Sequence, residues 1–203
     1  MQHSAPADYP IHDLLRERWS PRAFSSRPVE PDKLRRLLEA ARWAPSSFNE
    51  QPWHFLIASR EDQENFERML GVLWEGNRVW AAAAPLLMVT VARKQFARNA
   101  KPNRHAWHDV GQAISHLTFQ AAAEGLFVHQ MAGFDPEAAR GLFDIPDDYE
   151  AVTAVAIGYP GDPAMLTDQL REMEVAPRKR RALADFVFEG KWGQTAPLVS
   201  KQA

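Results

Sequence analysis

Apolar positions along the chain recur with two periods, and each period predicts its own kind of element. Over residues 31–43, Leu34, Leu37, Leu38 and Ala41 stand at i, i+3, i+4 and i+7, the stripe of an amphipathic helix with proline in its first turn. Residues 11–19 read as a shorter helix, and residues 61–74 as another with Phe66, Met69, Leu70, Leu73 and Trp74 on one face. The longest helix is predicted over 105–124, where Val110, Ala113, Ile114, Leu117 and Ala121 give a broad apolar face suited to a central position. Gly125 is placed to end it, and Asp135 ahead of Pro136 caps a further helix over 135–143. Strands are expected at 53–58, 85–92, 126–131 and 151–159, the second apolar throughout and therefore interior. Residues 93–104 are polar and basic, a surface loop or lid. The order predicts an α+β fold, a sheet enclosed by helices, with no internal repeat and no linker.

Composition narrows the classes. The 203 residues suit one domain, 45% apolar and 25% charged, and a net charge of −2 argues against general nucleic-acid or anionic-membrane binding. With no cysteine there is no disulfide, thiolate metal site or cysteine nucleophile. The longest apolar stretch, 79–92, is too short to span a bilayer, and the N-terminus lacks a signal-peptide core, so a cytoplasmic protein is expected. Seven tryptophans and eleven phenylalanines suit a large core, a subunit interface or a flat ring ligand.

Two polar segments flank the 31–43 helix. In the first, Arg18 and Arg22 space two guanidiniums around the Ser20 hydroxyl, a donor set for a phosphate or polyol. In the second, Ser46, Ser47, Asn49 and Gln51 lie between Pro45 and Pro52, which stiffen the backbone carrying these donors. There is no Gly-x-Gly-x-x-Gly fingerprint for a dedicated dinucleotide domain and no Gly-x-Ser-x-Gly elbow for a hydrolase. His105 and Asp109 have metal-ligand spacing on the long helix, but no second ligand cluster accompanies them and no metal is expected.

Taken in order, Arg18-x-Ser20-x-Arg22-x-Phe24, Ala44-Pro45-Ser46-Ser47-x-Asn49-x-Gln51-Pro52-Trp53, Gly76-Asn77-x-x-Trp80, Asp109-x-Gly111-x-Ala113, Gly133-Phe134-Asp135, Ile157-Gly158-Tyr159-Pro160 and the basic tail from Arg178 resemble the FMN-dependent nitroreductase family. Each pattern alone also describes a solvated turn or tail; their order and spacing are specific. The resemblance implies one domain over 1–203 with a mixed sheet, in a homodimer whose C-terminal arm, from about residue 178, wraps the partner subunit. It implies bound FMN, reduced by NADH or NADPH, that passes electrons by a ping-pong mechanism to nitroaromatic, quinone or related small-molecule acceptors. Alternatives are a flavin carrier or sensor without turnover, a reductive dehalogenase and a flavin-fragmenting enzyme.

Carried onto this chain, the resemblance gives Arg18, Trp19, Ser20 and Arg22 to the FMN phosphate, ribityl chain and ring edge, with Arg178 and Arg180 closing over the phosphate. Pro45, Ser46, Ser47 and Asn49 reach the flavin of the partner subunit. Gln130, Met131, Ala132 and Gly133 pass a backbone N–H to its N5, where the chemistry occurs, and no side chain is assigned a catalytic role. Glycine at 133 is expected because a ring approaching the backbone leaves no room for Cβ. Asn77 aligns with a second flavin contact, and Trp80 stands where some members carry lysine, leaving Arg22 to supply charge at the N1/O2 edge. Arg104 and His105 are expected beside the acceptor.

Overall fold

The computed structural model describes residues 3–200. A short helix α1 (Asp13–Glu17) precedes α2 (Pro31–Arg42), which joins the two polar segments. Then come β1 (Trp53–Ser59), α3 (Gln63–Gly71), α4 (Glu75–Ala81) and β2 (Leu86–Arg93), followed by the long α5 (Ala106–Ala123). The chain continues through β3 (Phe127–Met131), α6 (Pro136–Leu142), β4 (Tyr149–Gly158) and α7 (Asp168–Val175).

The strands form one sheet in the order β1-β2-β4-β3. The expected sheet enclosed by helices is present, but its three pairings are all antiparallel, so the mixed strand directions are absent among the described residues. Strand β2 is central and its side chains alternate between two cores. Leu87, Val89 and Val91 join Phe24, Phe66 and Trp80 on one face. Met88 and Ala92 join Leu37, Ala41, Ile114 and Leu117 from α2 and α5 on the other. A strand covered on both faces reads as an unbroken apolar run, which is why its interior place was visible in the pattern.

Helix α5 ends as expected. Gly125 takes φ +73°, a conformation glycine adopts without Cβ strain, and the Leu126 N–H returns to the Ala121 carbonyl at 2.8 Å. Asp135 caps α6 by accepting the N–H groups of Glu137 and Ala138 at 3.0 and 2.9 Å.

Three features differ from the expectation. The 61–74 helix stops at Gly71, and Trp74, assigned to its apolar face, is 62% exposed as the N-cap of α4. Helix α4 ends inside the expected 79–92 apolar run, whose residues are shared between that helix end and β2. Helix α7 was not anticipated, because its only buried residue is an acid, Glu174, and it has no apolar stripe.

Candidate functional site

The first polar segment is an irregular loop whose backbone is tied down from three distant parts of the chain. Glu174 accepts the Arg22 N–H on both carboxylate oxygens at 3.0 Å and the Ala23 N–H on one of them at 3.0 Å. The His129 ring meets the Pro21 carbonyl through Nδ1 at 2.8 Å. Beyond β4, the Gly161 N–H donates to the Ala23 carbonyl at 2.8 Å, and the Ser25 N–H to the Tyr159 carbonyl at 2.9 Å. On this fixed loop Arg18 donates to the Ser20 hydroxyl at 3.2 Å. The Trp19 ring stacks on His3 at 4.0 Å and meets Phe127 edge-on at 6.0 Å, so it forms a wall rather than a free face.

The C-terminal tail returns to this loop. Burial, and after it the charges of Arg178 and Arg180, hold the Arg18 guanidinium below its ordinary pKa. Arg178 is lowered by burial and by Arg180, with Glu17 opposing. Arg178 is anchored through the carbonyls of His3 and Arg16 at 2.6 and 3.0 Å, whereas among the described residues the Arg180 guanidinium bonds only to the adjacent Lys179 carbonyl. Like charges gathered from opposite ends of the chain repel one another unless an anion joins them. Three guanidiniums and a hydroxyl fit a phosphomonoester in charge and donor geometry.

At the end of β3, Gln130 and Ala132 are exposed, whereas the Met131 side chain is buried in the core and only its backbone is available to a ligand. The space at Gly133 is filled from within the chain: a Cβ there would stand 2.5 Å from Asn77 Nδ2. Asn77 donates to the Gly133 carbonyl at 2.9 Å, so its amide is tied to the backbone strip. Trp80 is buried, stacked with Phe24 and 4.5 Å from the His129 ring, a core residue that offers no charge. Burial, reinforced by the Arg22 charge, pushes His129 down to about 4, against the Pro21 and Ser20 carbonyls.

The second polar segment is built on strained backbone. Phe48, Asn49 and Gln51 take φ of 55°, 56° and 51°, each costing on the order of 1–3 kcal/mol outside glycine. The Gln51 N–H donates to Ser46 Oγ at 3.0 Å, and the Ser47 N–H to Asp109 Oδ2 at 3.0 Å, an α5 carboxylate that is buried. The basic loop 93–104 leans on the same segment. Arg98 lies 4.1 Å over the Phe48 ring, Phe96 meets Phe48 edge-on, and Glu50 accepts the Ala97 N–H. His105, His108 and Gln112 join Ser46 and Ser47 around an open cavity of about 240 Å³. Arg104 is exposed at the start of α5.

The expected residues therefore fall into two groups. Arg18, Ser20, Arg178 and Arg180 gather at one place, and Arg22, on the same loop, puts its charge near His129, the neighbour of Gln130 to Gly133. Pro45, Ser46, Ser47 and Asn49 stand with α5 and the basic loop. No hydrogen bond, ion pair or aromatic contact among the described residues joins the two groups. The pattern of residues did not reveal Glu174 or His129, and it marked Asp109 without its role as the support beneath Ser47. The available signal was an acid at a helix position otherwise suited to burial.

The sequence profile of the nitroreductase family matches residues 15–88 and 63–159. An uncharacterized 15.4 kDa protein of Mycolicibacterium smegmatis is 38% identical over 130 residues, covering 64% of this chain and 86% of that protein. A Thermus thermophilus NADH dehydrogenase is 26% identical over 178 residues, 72% of this chain and 84% of its own. A solved oxidoreductase containing FMN superposes with a TM-score of 0.88 at 37% identity, over 94% of this chain and 97% of that one.

Proposed function

Because this chain belongs to the nitroreductase family, we propose that it is an FMN-dependent oxidoreductase driven by NADH or NADPH. The observation that carries the reading is the convergence of Arg18, Arg178 and Arg180 on one place, where Glu17 is the one acid acting on them among the described residues, the charge arrangement a phosphate completes. When bound, FMN would supply two-electron chemistry at N5, by which hydride from NAD(P)H would reach nitroaromatic, quinone or related acceptors in ping-pong order.

The chain's own residues hold and orient. Arg18, Ser20, Arg178 and Arg180 bind the phosphate and ribityl end, with the Trp19 ring as a wall. Arg22 stands at the N1/O2 edge, and the backbone of Gln130, Met131, Ala132 and Gly133 directs an N–H at N5. Pro45, Ser46, Ser47 and Asn49 reach the partner subunit's flavin, which accounts for their separation from Arg18 within one subunit. The strain at Phe48 and Asn49 is supported by α5 through Asp109, so these donors are held in place before the ligand arrives. His105 and Arg104 face the acceptor, and a nicotinamide binds transiently at the same face. The dimer encloses the ring, and the arm from about residue 178 covers the partner. The whole of 1–203 is one unit, acting in the cytoplasm on small molecules.

An anaerobic titration tests the reading. Purified protein should carry a flavin spectrum that NADH or NADPH bleaches and that a nitroaromatic or quinone restores. A flavin spectrum that neither nucleotide reduces would instead mark a carrier, and protein with no affinity for FMN would overturn the proposal.

A further inference from the structure

Glu174 is the least expected acid in the molecule. It is 3% exposed, it comes from a helix beyond the segment matched by the family profile, and no cation pairs with it among the described residues. A buried carboxylate is tolerated only where hydrogen bonds compensate for lost water. Here the compensation is the pair of backbone N–H groups of Arg22 and Ala23, more than 150 residues away in sequence, with both oxygens on Arg22. The backbone of Arg22 is thereby fixed, while its guanidinium has no hydrogen bond or ion pair among the described residues. That charge is near enough to His129 to lower its basicity.

We propose that Glu174 is a positioning residue: it fixes where the Arg22 guanidinium stands, and through Arg22 it sets how strongly the site prefers reduced to oxidised FMN. The inference rests on the FMN reading above. Reduced flavin bears negative charge at its N1/O2 edge, so a guanidinium held there stabilises the reduced form more than the oxidised one. If the loop is released, the backbone that carries Arg22 shifts, the guanidinium is no longer delivered to one place and the preference weakens. The sign of the effect separates positioning from direct electrostatics. Removing a negative charge near the ring would by itself favour the reduced form and raise the potential; losing the hold on Arg22 lowers it.

The test compares full-length Glu174→Gln, Glu174→Asp and Arg22→Ala with the parent protein. FMN dissociation constants are measured by flavin fluorescence, and midpoint potentials by anaerobic titration against reference dyes. For E174Q, FMN binding should weaken about tenfold and the potential fall by about 30 mV, the equivalent of a tenfold loss of preference for a two-electron couple. Glu174→Asp keeps the charge on a shorter stem and should show a smaller effect in the same direction, about threefold and about 15 mV. It decides the matter alone if E174Q does not fold. In an R22A background E174Q should produce no further fall in potential. An unchanged or raised potential in a folded Glu174 variant, or a fall that persists in full without Arg22, overturns the proposal. Parent protein that binds no FMN defeats the flavin reading and this inference with it. Parent protein that binds FMN beside variants that match it defeats only this one.

Discussion

Asn77 donates through Nδ2 to the Gly133 carbonyl at 2.9 Å, and the same atom lies 2.5 Å from where a Cβ on residue 133 would be. The expected reason for glycine was a ring pressing on the backbone; the reason within the chain is a side chain folded over it. Gly133→Ala should therefore expel the amide and lose this hydrogen bond, at about 1–2 kcal/mol in a urea unfolding experiment. In an Asn77→Ala background the same substitution should be nearly neutral, a coupling of about 1 kcal/mol in the double-mutant cycle. An equal cost in both backgrounds would show that the Asn77 amide is not what reserves the position.

Arg180 isolates the anion argument from stability. Among the described residues its guanidinium bonds only to the Lys179 carbonyl, and the residue is exposed, yet its charge weighs on both Arg18 and Arg178. Arg180→Ala should leave the stability of flavin-free protein within about 0.5 kcal/mol. FMN binding should weaken about tenfold, the loss of one charge-assisted contact, while binding of riboflavin, which lacks the phosphate, stays within twofold. Equal losses for both ligands would place Arg180 away from the phosphate.

The long helices and the donor-rich segments were legible in the sequence, because their signals are local. Helix α2 shows its stripe within three turns, and Arg18, Ser20 and Arg22 declare their chemistry by type and spacing. What escaped was whatever acts across distance. Glu174 reaches Arg22 over 152 residues, His129 reaches Pro21 over 108, and Asp109 reaches Ser47 over 62, and no window on the chain contains both partners. Helix α4 was hidden for a different reason: its apolar end, the Ala-rich turn and β2 form one run of similar composition, so the change of element leaves no change of pattern. Trp74 shows the converse error, a residue in phase with α3 but past its end.

His129 makes stability depend on pH in a window of its own. Its pKa falls from 6.5 in the unfolded chain to about 4 in the folded one, burial being the main cause. Between these values the unfolded chain binds more protons, so stability is full above pH 6.5 and is lost as pH falls toward 4. From pH 6.5 to 5 the loss should be on the order of 2 kcal/mol. The carboxylates of Glu30, held to about 2 chiefly by the Tyr159 hydroxyl, and Glu39, held to about 2 chiefly by Arg42, lose their contribution at lower pH, as it falls from 4.5 toward about 2. Thermal unfolding of His129→Gln against pH should be flatter than that of the parent between pH 6.5 and 5; parallel profiles would assign the dependence elsewhere.

The C-terminal arm tests whether the second polar segment belongs to a partner's site. Phe188 and Trp192 meet at 5.2 Å within a turn closed by the Phe188 and Thr195 bridge, but Trp192 is 93% exposed and Phe186 is half exposed. Apolar area of this kind, presented beyond the last strand, calls for another surface to cover it. The Thr195 hydroxyl donates to the Ala184 carbonyl at 3.1 Å, and the Phe186 and Val187 N–H groups donate to the Leu183 carbonyl at 3.1 and 2.9 Å, so the turn is tied to the chain just ahead of it and a cut after Ala184 removes it whole. Truncation there should convert a dimer to a monomer in analytical ultracentrifugation. It should also weaken FMN binding although Arg18, Arg178 and Arg180 are all retained, because Ser46, Ser47 and Asn49 of the second subunit would no longer reach the ring. Retention of a flavin-loaded dimer after truncation would mean that the arm covers neither the partner nor its site.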